Sequence, residues 1–146
     1  PSDAKMMLEV HRAAILELGR SAYTSEECQS WAHGLSVQGY PSAMIKGERF
    51  IVAVQGGKII GFCSYDRNEI MGLFVTPHSA RIGVGTQLLK RVEESISANG
   101  AEQIVLDAAL SAVTFYTASG YVKLRSKPWL TRGGFELVSV KMQKRC

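Results

Sequence analysis

Gly83 and Gly85 stand one residue apart between an apolar run ending at Val75 and a run of helical period that opens at Val84. That junction constrains the fold more than any other stretch. Leu73-Phe74-Val75 reads as a strand end, and Thr76-Pro77 leads it into a polar turn. Val84, Leu88, Leu89, Val92 and Ile96 then repeat on one helical face. Asn99-Gly100 stops the helix, and Ile104 to Leu106 follows as a short buried strand. Strand, helix and strand in this order require a parallel pair joined by a right-handed crossover. The glycines fall where a helix N-terminus leaves N–H groups without partners. Those donors, with the positive end of the helix dipole, favour an anion such as phosphate. A missing Cβ lets that anion approach the backbone closely. Read alone, Gly-x-Gly is explained equally well by turn chemistry. It is no P-loop, because no Gly-Lys-Ser/Thr is present. It is no dinucleotide fingerprint either, because Leu88 stands where the third glycine would be.

The flanking chain supplies the other layers. Ser2-Asp3 reads as an N-cap for a helix whose apolar face is Met7, Leu8, His11, Ala14, Ile15 and Leu18, with Gly19 as its end. Thr24 and Glu27 have the spacing of a capping box, opening a short helix with Cys28 and Trp31. Residues Leu35 to Gly47 contain Gly39-Tyr40-Pro41 and read as a long loop, of the kind that shapes binding sites. Phe50–Val54, Ile59–Tyr65 and Glu69–Val75 form an antiparallel meander turned at Gly56-Gly57 and at Asp66-Arg67-Asn68. Beyond the crossover, Ser111 to Ala118 reads as a short helix. A strand begun by Tyr121 to Leu124, with Trp129 as its farthest limit, and a last strand from Phe135 to Met142 complete the chain. The class is α+β with a mixed sheet, in one domain spanning 1–146. An exposed final strand would permit a homodimer.

Composition narrows the chemistry. With 46% hydrophobic and 21% charged residues the chain is an ordinary globular one, and no apolar run approaches a membrane span. The net charge of +4 is dispersed, apart from Lys141, Lys144 and Arg145 near the end, so a solvated basic surface is favoured over nucleic-acid binding. Cys28, Cys63 and Cys146 are too few and too far apart for a disulfide framework or a zinc site, and reduced thiols suit the cytoplasm. His11, His33 and His78 have no partner visible in the sequence.

Three motifs in order carry a family resemblance. They are Leu73-Phe74-Val75-Thr76-Pro77, Ala80-Arg81-Ile82-Gly83-Val84-Gly85, and Ser111-Ala112-Val113-Thr114-Phe115-Tyr116-Thr117-Ala118-Ser119-Gly120-Tyr121. Together they resemble the strand end, pyrophosphate loop and short tyrosine-bearing helix of the GNAT superfamily of acetyl-CoA-dependent N-acyltransferases. The chain departs from the family at Ala80, where Gln or Arg is usual, and at Ser111, where Asn is usual; the family's first strand is not seen.

The resemblance implies a mostly antiparallel sheet, splayed between Glu69–Val75 and Ile104–Leu106. It implies acetyl-CoA as co-substrate and no metal. Arg81, Ile82, Gly83, Val84, Gly85 and Thr86 would hold the pyrophosphate, the backbone of Phe74 and Val75 would meet the pantetheine arm, and Ser111 would touch the cofactor. Tyr116 would protonate the leaving thiolate. Glu69 would act as base through water, with a solvent-facing turn residue as an equal alternative. Tyr23, Trp31 and Tyr40, in the variable front of the chain, would border the acceptor, a small-molecule or peptide amine. Arg125, Lys127 and Arg132 could meet an acidic group. The competing function is an acyl-CoA sensor of the same fold that performs no transfer.

Overall fold

The computed structural model describes residues 2–79 and 82–146. Helix α1 (Ser2–Ala13) leads without a break into a π-helical turn at Ala14–Leu18 and a 3₁₀ turn at Gly19–Ser21. Ser2 and Asp3 lie within the first turn of α1 and are not its cap. Helix α2 (Ser25–Ala32) carries the expected capping box, with the Glu27 N–H donating to Thr24 Oγ1 at 3.1 Å and the Thr24 N–H to Glu27 Oε1 at 2.9 Å. Helix α3 (Gly39–Ile45) occupies the stretch expected to be loop. Pro41 is tolerated there because it falls in the first turn, where no backbone N–H has a helical partner.

The sheet comprises β1 (Arg49–Gln55), β2 (Lys58–Asp66), β3 (Glu69–Val75), β4 (Gln103–Ala109), β5 (Val122–Leu130) and β6 (Glu136–Arg145), in the order β1-β2-β3-β4-β6-β5. Only β3 and β4 are parallel. The final strand is therefore interior, between β4 and β5, and the edge that could meet a second copy is β5. This corrects the expectation of an exposed last strand. No strand precedes α1 among the described residues.

Helix α4 (Val84–Ala98) lies on one face and buries Leu88, Leu89, Val92 and Ile96. Full burial of each such side chain contributes about 1.5–3 kcal/mol over exposure. They pack with Ile70, Leu73, Val75, Leu106 and Met142 from the sheet and with Tyr116 of the short helix α5 (Val113–Ala118). The opposite face is covered by α1 to α3, which close over Phe62, Phe74 and Leu137. Among the described residues no helix is long and apolar enough to cross a membrane.

Pairing of β2 with β3 matches Ser64 to Gly72 and Tyr65 to Ile70, leaving Met71 as an unmatched bulge residue. The bulge reverses the pleat. Ile70 before it and Leu73 and Val75 after it all reach the α4 side, and Phe74 reaches the opposite side. By the same alternation Glu69, adjacent to Ile70, shares the face of Phe74.

Candidate functional site

Strands β3 and β4 start together and part. Their ladder consists of Glu69 opposite Val105 and Ile70 opposite Leu106. The root is pinned by Asn68, whose carbonyl accepts from the Val105 N–H at 3.0 Å and whose side-chain amide donates to the Gln103 carbonyl at 3.1 Å. From Met71 to Val75 the β3 edge facing β4 has no strand ladder. A cavity of about 1140 Å³ opens there and continues across the sheet to the α1–α3 side.

The N-terminus of α4 stands at the mouth of this gap. Gly83 is its N-cap, in the left-handed region at φ 89°, and among the described residues no side chain caps the helix. A Cβ at Gly83 would meet nothing within 4 Å, so strain, and not crowding, restricts this position to glycine. The first intrahelical acceptor is the Gly83 carbonyl, taken by the Gln87 N–H at 3.0 Å. The amides of Val84, Gly85 and Thr86 precede that first bond and have no helical partner among the described residues. Gly83, Gly85, Thr86, Phe74, Val75 and Ser111 all line the cavity. Val84 and Ile82 are not part of the cavity wall: the Val84 side chain packs against the core, and Ile82, just before Gly83, is 63% exposed. Arg81, the remaining expected phosphate ligand, falls outside the described residues, as does Ala80. An uncapped helix end with open space before it fits a diphosphate, and an unladdered strand edge fits an amide-bearing chain such as pantetheine.

Tyr116 reaches the cavity from α5. Its ring is buried, with Phe115 and Tyr121 at 5.2 and 5.6 Å. Burial raises its pKa, with a smaller contribution from Cys63, so the hydroxyl keeps its proton through neutral pH. Tyr121, by contrast, donates to Glu93 at 2.8 Å and is structural.

Glu69 is half-buried at the closed root of the splay and is not part of the cavity wall. It lies five residues before Phe74, about 16 Å along a strand. Glu69 thus stands apart from the cavity wall, on the face of the strand that it shares with Phe74.

The part of the cavity under α1–α3 is aromatic, lined by Trp31, Tyr40, Phe74 and Trp129. Tyr23 is not part of that lining. Its hydroxyl donates to the Val138 carbonyl at 2.6 Å and accepts from the Leu110 N–H at 2.9 Å, tying β6 to the end of β4. That hydroxyl thus serves as a structural tie.

His11, for which the sequence offered no partner, is the main addition. A π-helical turn, of a kind frequent at functional sites, begins three residues after it at Ala14. The His11 ring lies 4.0 Å from the Phe74 ring, and its Nδ1 is 3.0 Å from the Tyr40 hydroxyl. Burial first, and the Arg132 charge second, push its pKa down to about 4, so the imidazole is neutral at pH 7. The thiols offer no nucleophile here: Cys28 is fully buried with a raised pKa, and burial pushes Cys63 up to about 12.

Comparison with known proteins agrees with this geometry. The family model for an acetyltransferase (GNAT) domain matches residues 20–146. The uncharacterized N-acetyltransferase YafP of Escherichia coli (strain K12) is 24% identical over 135 residues, covering 92% of this chain and 85% of its own length. A crystal structure from Rhodopseudomonas palustris, described as a GCN5-related N-acetyltransferase, superposes with a TM-score of 0.92 at 27% identity, covering 100% of this chain and 91% of that one. The PaiA N-acetyltransferase of Thermoplasma acidophilum, solved in complex with coenzyme A, shares the fold at a TM-score of 0.77 and 20% identity, over 99% of this chain and 94% of its own.

Proposed function

The chain belongs to the GNAT acetyltransferase family, and from that premise we propose that it carries an acetyl group from acetyl-CoA to a primary amine of a small molecule or peptide, by direct transfer in a ternary complex. One observation carries the reading: the uncapped α4 N-terminus and the unladdered β3 edge open onto the same cavity. Acetyl-CoA supplies an activated acetyl thioester, whose C–S bond breaks as the C–N bond forms.

The residues divide the remaining work. Amides of Gly83 to Thr86 hold the diphosphate, joined in this reading by Arg81. Backbone of Phe74 and Val75 aligns the arm, and an N–H there holds the developing oxyanion. Tyr116 donates its proton to the departing sulfur, a thiolate whose parent pKa is about 8.5. Ser111, on the cavity wall beside α5, contacts the cofactor with a shorter hydroxyl than the usual amide. Tyr40 and Trp31 bound the acceptor.

Glu69 takes the ammonium proton through water. Supporting this are its place on the β3 that carries the thioester contacts and its shared face with Phe74. The expected result for Glu69→Gln is loss of the acidic limb of the pH–rate profile, with coenzyme A affinity unchanged. An unchanged limb would assign the proton to another acceptor.

Thiol release from acetyl-CoA, followed across a panel of amines, tests the whole reading. Release that depends on amine is expected. Tight cofactor binding with no release for any amine would favour the sensor alternative, which the distance of Glu69 from the cavity wall keeps in play. Free thiols at Cys28, Cys63 and Cys146 suit a cytoplasmic setting. Exposed Val122 and Leu124 on edge strand β5 suit pairing with a second copy.

A further inference from the structure

Arg132 sits on the β5–β6 turn, and that turn is unusually well fixed. Thr131 is buried and hydrogen-bonded to the buried Ser30 of α2. Thr131 also exchanges bonds with Phe135, its N–H donating to the Phe135 carbonyl at 2.8 Å and its Oγ1 accepting from the Phe135 N–H at 3.1 Å. Gly133 presses on α2 so closely that a Cβ there would lie 2.9 Å from the Ser30 backbone. The Arg132 stem rests on Gly34, where a Cβ would come 3.1 Å from its Cδ. Its guanidinium nevertheless has little to do. The ion pairs among the described residues are Arg67–Asp66, Lys127–Asp107 and Lys144–Glu93, and Arg132 takes part in none. Its single hydrogen bond among the described residues, to the Gly34 carbonyl, is 3.5 Å long.

This cation lines the same cavity as the aromatic acceptor wall. His11 and Tyr40 line that cavity with it, and the His11 ring lies 4.0 Å from the ring of Phe74. Trp129, on the strand that leads into the turn, connects to Trp31 at 5.2 Å, and Trp31 to Phe74 at 6.3 Å. An apolar path of two ring-to-ring steps therefore separates the Arg132 turn from the strand that carries the transfer. Of the other charged wall residues, Lys127 and Asp107 are paired at 3.0 Å, and Glu17 and Glu48 are carboxylates. Those two acids disfavour a ligand that is wholly anionic, and the free guanidinium disfavours one that is wholly cationic, such as a polyamine.

We propose that the acceptor is a primary amine with an aromatic or apolar body and a carboxylate at its far end, and that Arg132 receives that carboxylate. This rests on the transferase reading for the fate of the amine, and on the cavity alone for the recognition of the anion. An arginine fork suits a carboxylate through paired hydrogen bonds, and a fixed turn reduces the ordering cost of binding.

The test uses 4-(aminomethyl)benzoate and benzylamine, which differ only in the carboxylate, titrated calorimetrically into the coenzyme A-loaded protein. The expected result is at least about fivefold tighter binding of the benzoate, a discounted value because the guanidinium is partly in solvent. Arg132→Gln should erase that preference, Arg132→Lys should restore part of it, and neither should alter coenzyme A affinity. With acetyl-CoA present, Arg132→Gln should raise KM for the benzoate by a similar factor with kcat little changed. Equal affinity for the two ligands in the unsubstituted protein, no binding of either, or a preference that survives Arg132→Gln overturns the proposal. Arg132-dependent binding of the benzoate without any thiol release supports the anion site and counts against the transferase reading, so the two failures are distinct.

Discussion

Tyr116→Phe is expected to lower turnover by about ten- to a thousand-fold, the usual worth of a positioned proton donor. Coenzyme A affinity and the unfolding midpoint should change little. The ring does the packing: it lies against Phe115 and Tyr121 beneath α4, and phenylalanine keeps it. Tyr116 lines the cavity, and among the described residues its hydroxyl makes no hydrogen bond to another protein group. Removing that hydroxyl therefore orphans no buried group. Burial raises the phenol pKa, so Tyr116 stays protonated across the working range and imposes no basic limit of its own near neutrality. The check is steady-state thiol release measured beside a thermal melt. Undiminished turnover in the variant would remove Tyr116 from the mechanism, and a large fall in midpoint would make its role structural.

Thr86→Glu should separate cofactor binding from folding with opposite signs. Thr86 is exposed in the first turn of α4, three residues beyond its Gly83 cap. A carboxylate there complements the helix dipole and should stabilise the free protein by about 0.3–1 kcal/mol. The same charge opposes a diphosphate held by the neighbouring amides. Coenzyme A affinity should fall by about ten- to a hundred-fold, since facing like charges cost up to several kcal/mol. Calorimetry with coenzyme A and a melt of the free protein read both quantities. A gain in stability with unchanged affinity would place the diphosphate away from α4. A mutation that merely damaged the loop would lower both.

Local periodicity explains which elements could be read from the chain. The bounds of β3 and α4 agree with the sequence reading, Glu69–Val75 and Val84–Ala98. There the period changes from two to 3.6 across a glycine cap, and burial follows the pattern. The capping box at Thr24 and Glu27 was equally legible, because its two bonds join residues three apart. Helix α3 was hidden by Gly39 and Pro41, which mark loops in general but are admitted in a first turn. The interior position of β6 was hidden because strand order depends on pairing partners far apart in sequence, and nothing local distinguishes an edge.

The site divides along the same line. The end of the cavity at α4 was visible because Gly83 caps that helix and Gly85 lies in its first turn. The aromatic end depends on distant residues. His11 meets Phe74 and Tyr40 only through the packing of α1 on the sheet, and its π-helical continuation has no sequence signal. Tyr23 illustrates the converse. An aromatic residue in the variable front of the chain suggested an acceptor contact, and its hydroxyl instead serves two backbone groups. The bulge at Met71, which sets the face of Glu69, likewise follows from the register between β2 and β3 and not from the residue itself.

The central claim is that the α4 amides hold a diphosphate and so direct a thioester into the gap between β3 and β4. A crystal structure with coenzyme A bound tests it most directly. The account predicts phosphate oxygens within hydrogen-bond distance of the Val84, Gly85 and Thr86 amides, the pantetheine arm along the Met71–Val75 edge, and the sulfur beside Tyr116. A nucleotide seated elsewhere on the molecule, or an arm that leaves the β3–β4 gap empty, would contradict it.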